Sequence, residues 1–352
     1  MAKSHKKEKA DENQNYFSAE KFVNDLLARA EVPCDKGSKS FDEHTQVPPY
    51  YNEELYKRGQ QFYHKHYFAM FISKLFGLIA VLAIPTINSI LRFTKQSSSN
   101  MTAYRRYMET IFHMCIWYED EFKPGTKMWD SINEVRSKHS SASKRACTVG
   151  LGNITQKDMA LTQFGFIGMA LTQKEKIGIF HTKPEEWEAL IHVWRVIGYL
   201  MGIEDRFNIC RESVEETTEI CNLLIEKVFL PEIEKRDPNF IEMSMYILEG
   251  LWCFNPFISA KVFFDIFYIT LFNNNVAEMD TKKEYLKLTP GQKRYMNFVL
   301  YVITTLEYKI WRLYHNTVHK TSLWLMHVFP FLAYFVFGRK NAHVSILNNK
   351  SA

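Results

Sequence analysis

The chain has no Cys-x-x-Cys pair; its six cysteines, Cys34, Cys115, Cys147, Cys210, Cys221 and Cys253, are scattered through 352 residues. An even count signals a disulfide framework only in short secreted chains, so reduced, mostly buried thiols in a cytosol-facing protein are expected. There is no G-x-S-x-G, P-loop or G-x-G-x-x-G signature, which removes the usual marks of nucleophile-elbow hydrolysis and of nucleotide binding. Gly150-Leu-Gly152 reads as a turn, not a phosphate cradle. The opening segment, MAKSHKKEKADENQN, has no apolar core of the kind a cleavable signal peptide needs. It reads as a polar, frayed tail. A net charge of +5 is mild, and no dense basic face or recognition motif supports a nucleic-acid partner. No alternating strand run with hairpin signals occurs, and no repeat period.

What is present is apolar and helical. Hydrophobic residues make up 46% and aromatics 15% of the chain, enough for a sizeable core. Ser18 is placed to cap a first helix through Phe22, Leu26 and Leu27, stopped by Pro33. Residues 34–50 read as a loop. The run Tyr67 to Leu91 is long enough to span a bilayer, but Lys74, Gly77 and Pro85 interrupt it. The preferred interpretation is two buried helices with a break at Pro85. KQSSSN at residues 95–100 is a linker and cap. A long helix follows, broken by Pro124-Gly125, and a second is expected from Met128 to His139. Asn153 or Thr155 caps the next. Capping boxes are expected at Thr182–Glu185, Ser213–Glu216 and Thr289–Gln292, the last with Pro290 at the first helical position. The helix from Pro290 is expected to continue to about His319. The fold expected is all-α: a polar tail, short helix and loop over 1–50, one large helical domain over 51–320, and an apolar segment with tail over 321–352.

Tyr104 to Arg145 carries the densest chemistry. A helical period puts Arg106, Thr110, His113 and Trp117 on one stripe, and Arg136 and His139 stand one turn apart further on. A cation, a hydroxyl and two imidazoles would thus converge from two helices. By spacing alone this is a weak signal, because a histidine on an amphipathic helix is usually a hydrogen-bonded structural residue. His192 and Arg195, one turn apart on a later helix, are either a polar stripe bonding neighbouring helices or contacts to a bound group. Asp158 fits a structural cap, and Gln163 could support a ligand residue. His315 and His319 have the spacing of a one-helix metal pair, but with no third ligand nearby they read as part of a basic amphipathic helix.

The ordered set Arg106-Tyr-Met-Glu-Thr110, Val135-Arg136-Ser-Lys-His139, Thr162-Gln163-Phe164 and Arg195-Val-Ile-Gly198-Tyr199-Leu-Met-Gly202 resembles the haem-dependent oxygenase domain shared by rubber oxygenase (latex clearing protein) and the ER-bound oxygenase of mycophenolic acid biosynthesis. The resemblance covers roughly residues 60 to 250. It implies an all-helical domain with haem b, His139 as the proximal iron ligand, and Arg106 and Thr110 on the distal side. Arg136, Arg145, His192 and Arg195 are then candidates to hold the cofactor. His113, on the Arg106–Thr110 face, is the rival ligand. The activity implied is insertion of dioxygen into an unsaturated lipid or prenoid, as in oxidative cleavage of a double bond. One departure stands out: rubber oxygenase has a lysine directly before the threonine, and here that residue is Glu109. As a carboxylate it is expected either to act as an acid–base group or to point to solvent.

Two other classes stay open: a non-catalytic haem or lipid carrier on the same scaffold, and a membrane-associated helical protein with no cofactor. Leu323 to Phe337 is short for a spanning helix. With Trp324, its phenylalanines and Arg339-Lys340 it suits an interfacial helix, or else a core helix covering the domain. Association with an internal membrane such as the endoplasmic reticulum is the expected location, with the cytoplasm as the alternative.

Overall fold

The computed structural model describes residues 17–34, 47–272 and 288–347. The polar tail before Phe17 and most of the loop between Cys34 and Tyr50 lie outside them. The described residues are all-α, without a strand; one isolated bridge pairs Pro33 with Thr155. All six cysteines are free thiols.

The helices start where the sequence supplies caps. Ser18 accepts from the Lys21 amide and opens α1 (Ala19–Arg29). Asn52 does the same for α2 (Glu53–Lys65). The apolar run divides into α3 (Tyr67–Leu82) and α4 (Pro85–Phe93), with Pro85 at the first position of the latter, where its missing N–H costs no bond. Among the residues of α3 only Phe68, Phe71 and Leu78 are not fully buried. It is therefore a core helix, as its mainly apolar circumference requires.

Ser99 and Thr102 form a capping box for α5 (Asn100–Glu119). Thr126 caps α6 (Lys127–Thr148), which runs well past the expected end at His139. Thr155 and Asp158 form the box of α7 (Gln156–Thr172). The next helix, α8 (Pro184–Leu200), begins one residue later than the Thr182 box predicts: Lys183 is the cap residue, and the Glu186 carboxylate accepts from its amide. Ser213 caps α9 (Val214–Leu224), which passes through a π turn into α10 (Leu230–Glu234). Then come α11 (Pro238–Gly250) and α12 (Ala260–Phe272).

Thr289 and Gln292 form the box of α13 (Pro290–Thr305). This helix does not continue to His319. It stops at Thr305 and restarts as α14 (Lys309–Val328), followed by α15 (Phe331–Phe337) and α16 (Arg339–Ala342). α14 passes without a break through residues 320 and 321.

α3 packs along α7, α2 along α8, and α5 lies against α6 and α11. This arrangement leaves α5, α6, α7 and α8 around one interior space.

Candidate functional site

That space is a cavity of about 470 Å³, within the range of roughly 300–1,000 Å³ usual for cofactor and small-molecule sites. α5 contributes Arg106, Tyr107, Glu109, Thr110, His113 and Trp117 to its wall. The stripe read from the helical period therefore faces one interior. α6 contributes Lys138, His139 and Arg145; Met159 and Phe166 of α7 and Trp194 and Ile197 of α8 complete an apolar side.

His139 is half-buried, with its Nδ1 shut off from solvent, and lines both the large cavity and a small one of about 20 Å³. Burial, with Arg106 and Lys138 nearby, pushes its pKa down to about 4, so the ring is neutral near pH 7. Its Nδ1 is buried with no hydrogen-bond partner among the described residues. A neutral imidazole with an unused nitrogen is the protonation state that a metal requires.

His113 is held differently. Its Nδ1 is 2.8 Å from Ser131 Oγ, which also accepts from Trp117 Nε1 at 2.8 Å. The His113 Nε2 is buried without a hydrogen-bond partner among the described residues, 3.7 Å from Glu134 Oε1. Burial pushes this ring down to about 4 as well, against the opposing effect of Glu134.

Glu109 does not point free into solvent. It pairs with Lys138, whose Nζ also donates to Glu134 Oε1 at 2.5 Å. Glu109, His113 and Glu134 each bring one ligand atom within 4.8 Å of the others, a set that could hold a metal ion. Lys138 supplies the positive charge there. Neither Lys138 nor Glu134 was singled out in the sequence, because nothing local shows that two charges on α6 meet Glu109 on α5.

The other expected cofactor contacts are dispersed. Arg136 lines only the small cavity, and its guanidinium donates to Leu200 O at 3.2 Å. His192 accepts from the Asn52 amide at 3.1 Å and lies against Tyr51. Arg195 pairs with Glu212 at 3.0 Å and Asp205 at 3.3 Å, over the Tyr50 ring. His192 and Arg195 thus tie α8 to its neighbours and do not line the large cavity. The motif's Gly198 has a different explanation: a Cβ there would lie 2.4 Å from Gln163 Nε2. Gln163 reaches past it to donate to Trp194 O and Asn208 Oδ1, so the glycine lets α7 and α8 close up. His315 and His319 form no metal pair. His315 stacks on Phe68, and His319 is buried among Tyr67, Phe71 and Phe254.

Three histidines away from the cavity fix an acid limit. Burial pushes His66 and His319 down to about 3 and His192 to about 4, from an ordinary 6.5. Depressed folded values mean that the unfolded chain binds protons first. This stabilisation is complete above pH 6.5 and is lost as pH falls towards 3–4. The Tm is expected to be lower by about 5 °C or more at pH 5 than at pH 7, measured by thermal melts. A flat profile over that window would show the rings to be solvated.

Fold and cavity together define a helical domain with a ligand-sized interior. The model of one protein family, described as ER-bound oxygenase mpaB/B'/Rubber oxygenase, catalytic domain, matches residues 62–252, and the chain belongs to this family. The matched stretch holds α3 to α11, hence the whole cavity wall. An oxygenase domain implies dioxygen and a small-molecule substrate, and is compatible with a metal or haem cofactor. No curated protein and no solved structure matches the chain.

Proposed function

We propose that this chain is a haem b-dependent oxygenase acting on an unsaturated lipid or prenoid, with oxidative double-bond cleavage as the reaction. The observation that carries the proposal is His139: a neutral, half-buried imidazole whose Nδ1 is buried and unpartnered among the described residues, on the wall of a large cavity in a chain of the oxygenase family. The residues present fit the group. His139 would hold the iron. Arg106 and Arg145, both on the cavity wall, would pair with propionates. His113 is the weaker ligand because its Nδ1 is engaged with Ser131 Oγ, although its Nε2, like His139 Nδ1, is buried without a hydrogen-bond partner among the described residues.

Haem supplies activation of dioxygen when bound. The protein's own residues do the rest. Met159, Phe166, Trp194 and Ile197 keep the cavity dry and align an apolar chain. Thr110 hydrogen-bonds its own helix at Arg106 O, 3.0 Å away, and its hydroxyl can turn to a ligand. Glu109, paired with Lys138, can hold or release a proton at its carboxylate beside the cavity. The purified protein is expected to show a Soret band and to consume dioxygen with an unsaturated lipid. A Soret band without oxygen uptake would favour a haem or lipid carrier.

A membrane surface belongs to the same proposal. No single helix among the described residues is long and apolar enough to cross a bilayer, and α14 and α15 form a pair bent by 55°. Yet among the described residues 14 of the 18 exposed large apolar side chains lie at residues 298–336, among them Tyr301, Ile310, Trp311, Leu313, Trp324 and Phe335. Residues 308–352 contain six lysines and arginines and no Asp or Glu. An aromatic face with unopposed positive charge suits the interface of an anionic bilayer. Flotation with vesicles containing phosphatidylserine is expected to carry the protein, and Trp311→Glu with Trp324→Glu to release it. Equal flotation of the double variant would remove this surface from the proposal.

A further inference from the structure

Lys74 is the one cation in the apolar run 67–91, and the chemistry above gives it no task. It lies mid-helix in α3, 6% exposed. Its Nζ is buried with no hydrogen-bond partner among the described residues. It stands 4.1 Å and 4.3 Å from the ring centroids of Tyr63 and Tyr118, which stack on each other at 3.7 Å. Burial pulls its pKa down to about 7. The two ring faces offset only part of the cost of a buried ammonium with no counter-charge, and a methionine would fill the same space without that cost.

Lys74 lines a second chamber of about 60 Å³, whose wall is otherwise mostly apolar. That is room for a few water-sized groups and too little for an acyl chain. Tyr107, Thr110, Thr162 and Phe166 line both this chamber and the large cavity, so the two spaces adjoin. The Tyr67 hydroxyl, 3.6 Å from the Cys115 thiol, stands on the same wall and can donate a second hydrogen bond. An arriving anion would give the ammonium its missing counter-charge in a dry setting, where the attraction is strong. The flexible four-carbon stem allows Nζ to turn towards it.

We propose that Lys74 anchors the carboxylate of an unsaturated fatty acid, with its head in the small chamber and its chain running past Thr110 and Phe166 into the large cavity. The inference rests on the oxygenase proposal only for the unsaturation; recognition of the carboxylate stands on the chamber.

The test is calorimetric titration of the full-length protein with oleate and with methyl oleate. Oleate is expected to bind about tenfold or more tightly than its ester. Lys74→Met is expected to level the two affinities while leaving the Tm unchanged or raised, an outcome that a purely structural lysine would not produce. Adhesion of lipid to the exposed aromatic face contributes equally to both variants. Equal affinities in the unmodified protein, or a preference that survives Lys74→Met, would overturn the anchor. Tight carboxylate binding with no oxygen uptake would count against the oxygenase proposal and leave the anchor standing.

Discussion

His139→Ala is expected to lose haem, with the Soret absorbance per protein falling about tenfold or more. Removing an outer partner of a metal ligand already costs about 10–100-fold in affinity, and removing the ligand itself costs at least that. The substitution deletes a ring that is neutral and unpartnered at Nδ1, so the apoprotein loses no hydrogen bond through that atom. Its fold is expected to persist, with an unchanged far-UV spectrum. His113→Ala serves as the contrast. It breaks the contact to Ser131 Oγ and removes a buried ring, so it is expected to lower stability while the haem content per folded protein is retained. If the two phenotypes are exchanged, His113 is the ligand.

Gly77→Ala is expected to have the largest effect on stability. α3 and α7 touch backbone to backbone at Gly77 and Gly165. A Cβ at Gly77 would lie 2.1 Å from Gly165 O, and a carbonyl inside a helix cannot swing aside. The helices must part along a buried seam, at a cost of about 3 kcal/mol. Chemical denaturation would read this as a lower midpoint at unchanged slope. Gly165→Ala is expected to be milder. Its Cβ would meet the Val81 Cγ2 methyl at 2.9 Å and Gly77 O only at 3.3 Å, and a side chain can yield. Equal losses from the two substitutions would mean that the helices adjust freely.

Gly77 illustrates what the sequence does and does not disclose. In the run 67–91 it reads only as an interruption, since nothing local announces which helix lies opposite. The stripe of Arg106, Thr110, His113 and Trp117 was legible because helical periodicity alone decides which residues share a face, and all four do line the cavity. Thr155–Asp158 and Thr289–Gln292 were legible as caps because capping is local.

Long-range partners were not legible. The Arg136 guanidinium stands one turn from His139 yet turns to Leu200 O. His192 and Arg195 meet Asn52, Asp205 and Glu212, residues distant in sequence or on loops. The break after Thr305 has no proline or glycine to mark it. Leu306, 1% exposed, packs over Gly178, and a Cβ at that glycine would come 2.4 Å from Leu306 Cδ1. The extension of α6 beyond His139 is likewise tertiary: Ser143 and Ala146 are buried, and Ser143 Oγ accepts from the Ile154 amide at 3.0 Å.

Glu109, where the resemblance to rubber oxygenase leads one to expect a lysine, gains meaning from its partner. Lys138 returns a positive charge to the same corner from the neighbouring helix.

The central claim is that a neutral imidazole at position 139 carries iron porphyrin within a dry helical cavity. Its most direct test is the absorption spectrum of the purified protein, taken with and without added haemin and normalised to protein. The account predicts a Soret band that saturates at one haem per chain and shifts when the iron is reduced. A spectrum identical to free haemin at every ratio would contradict it.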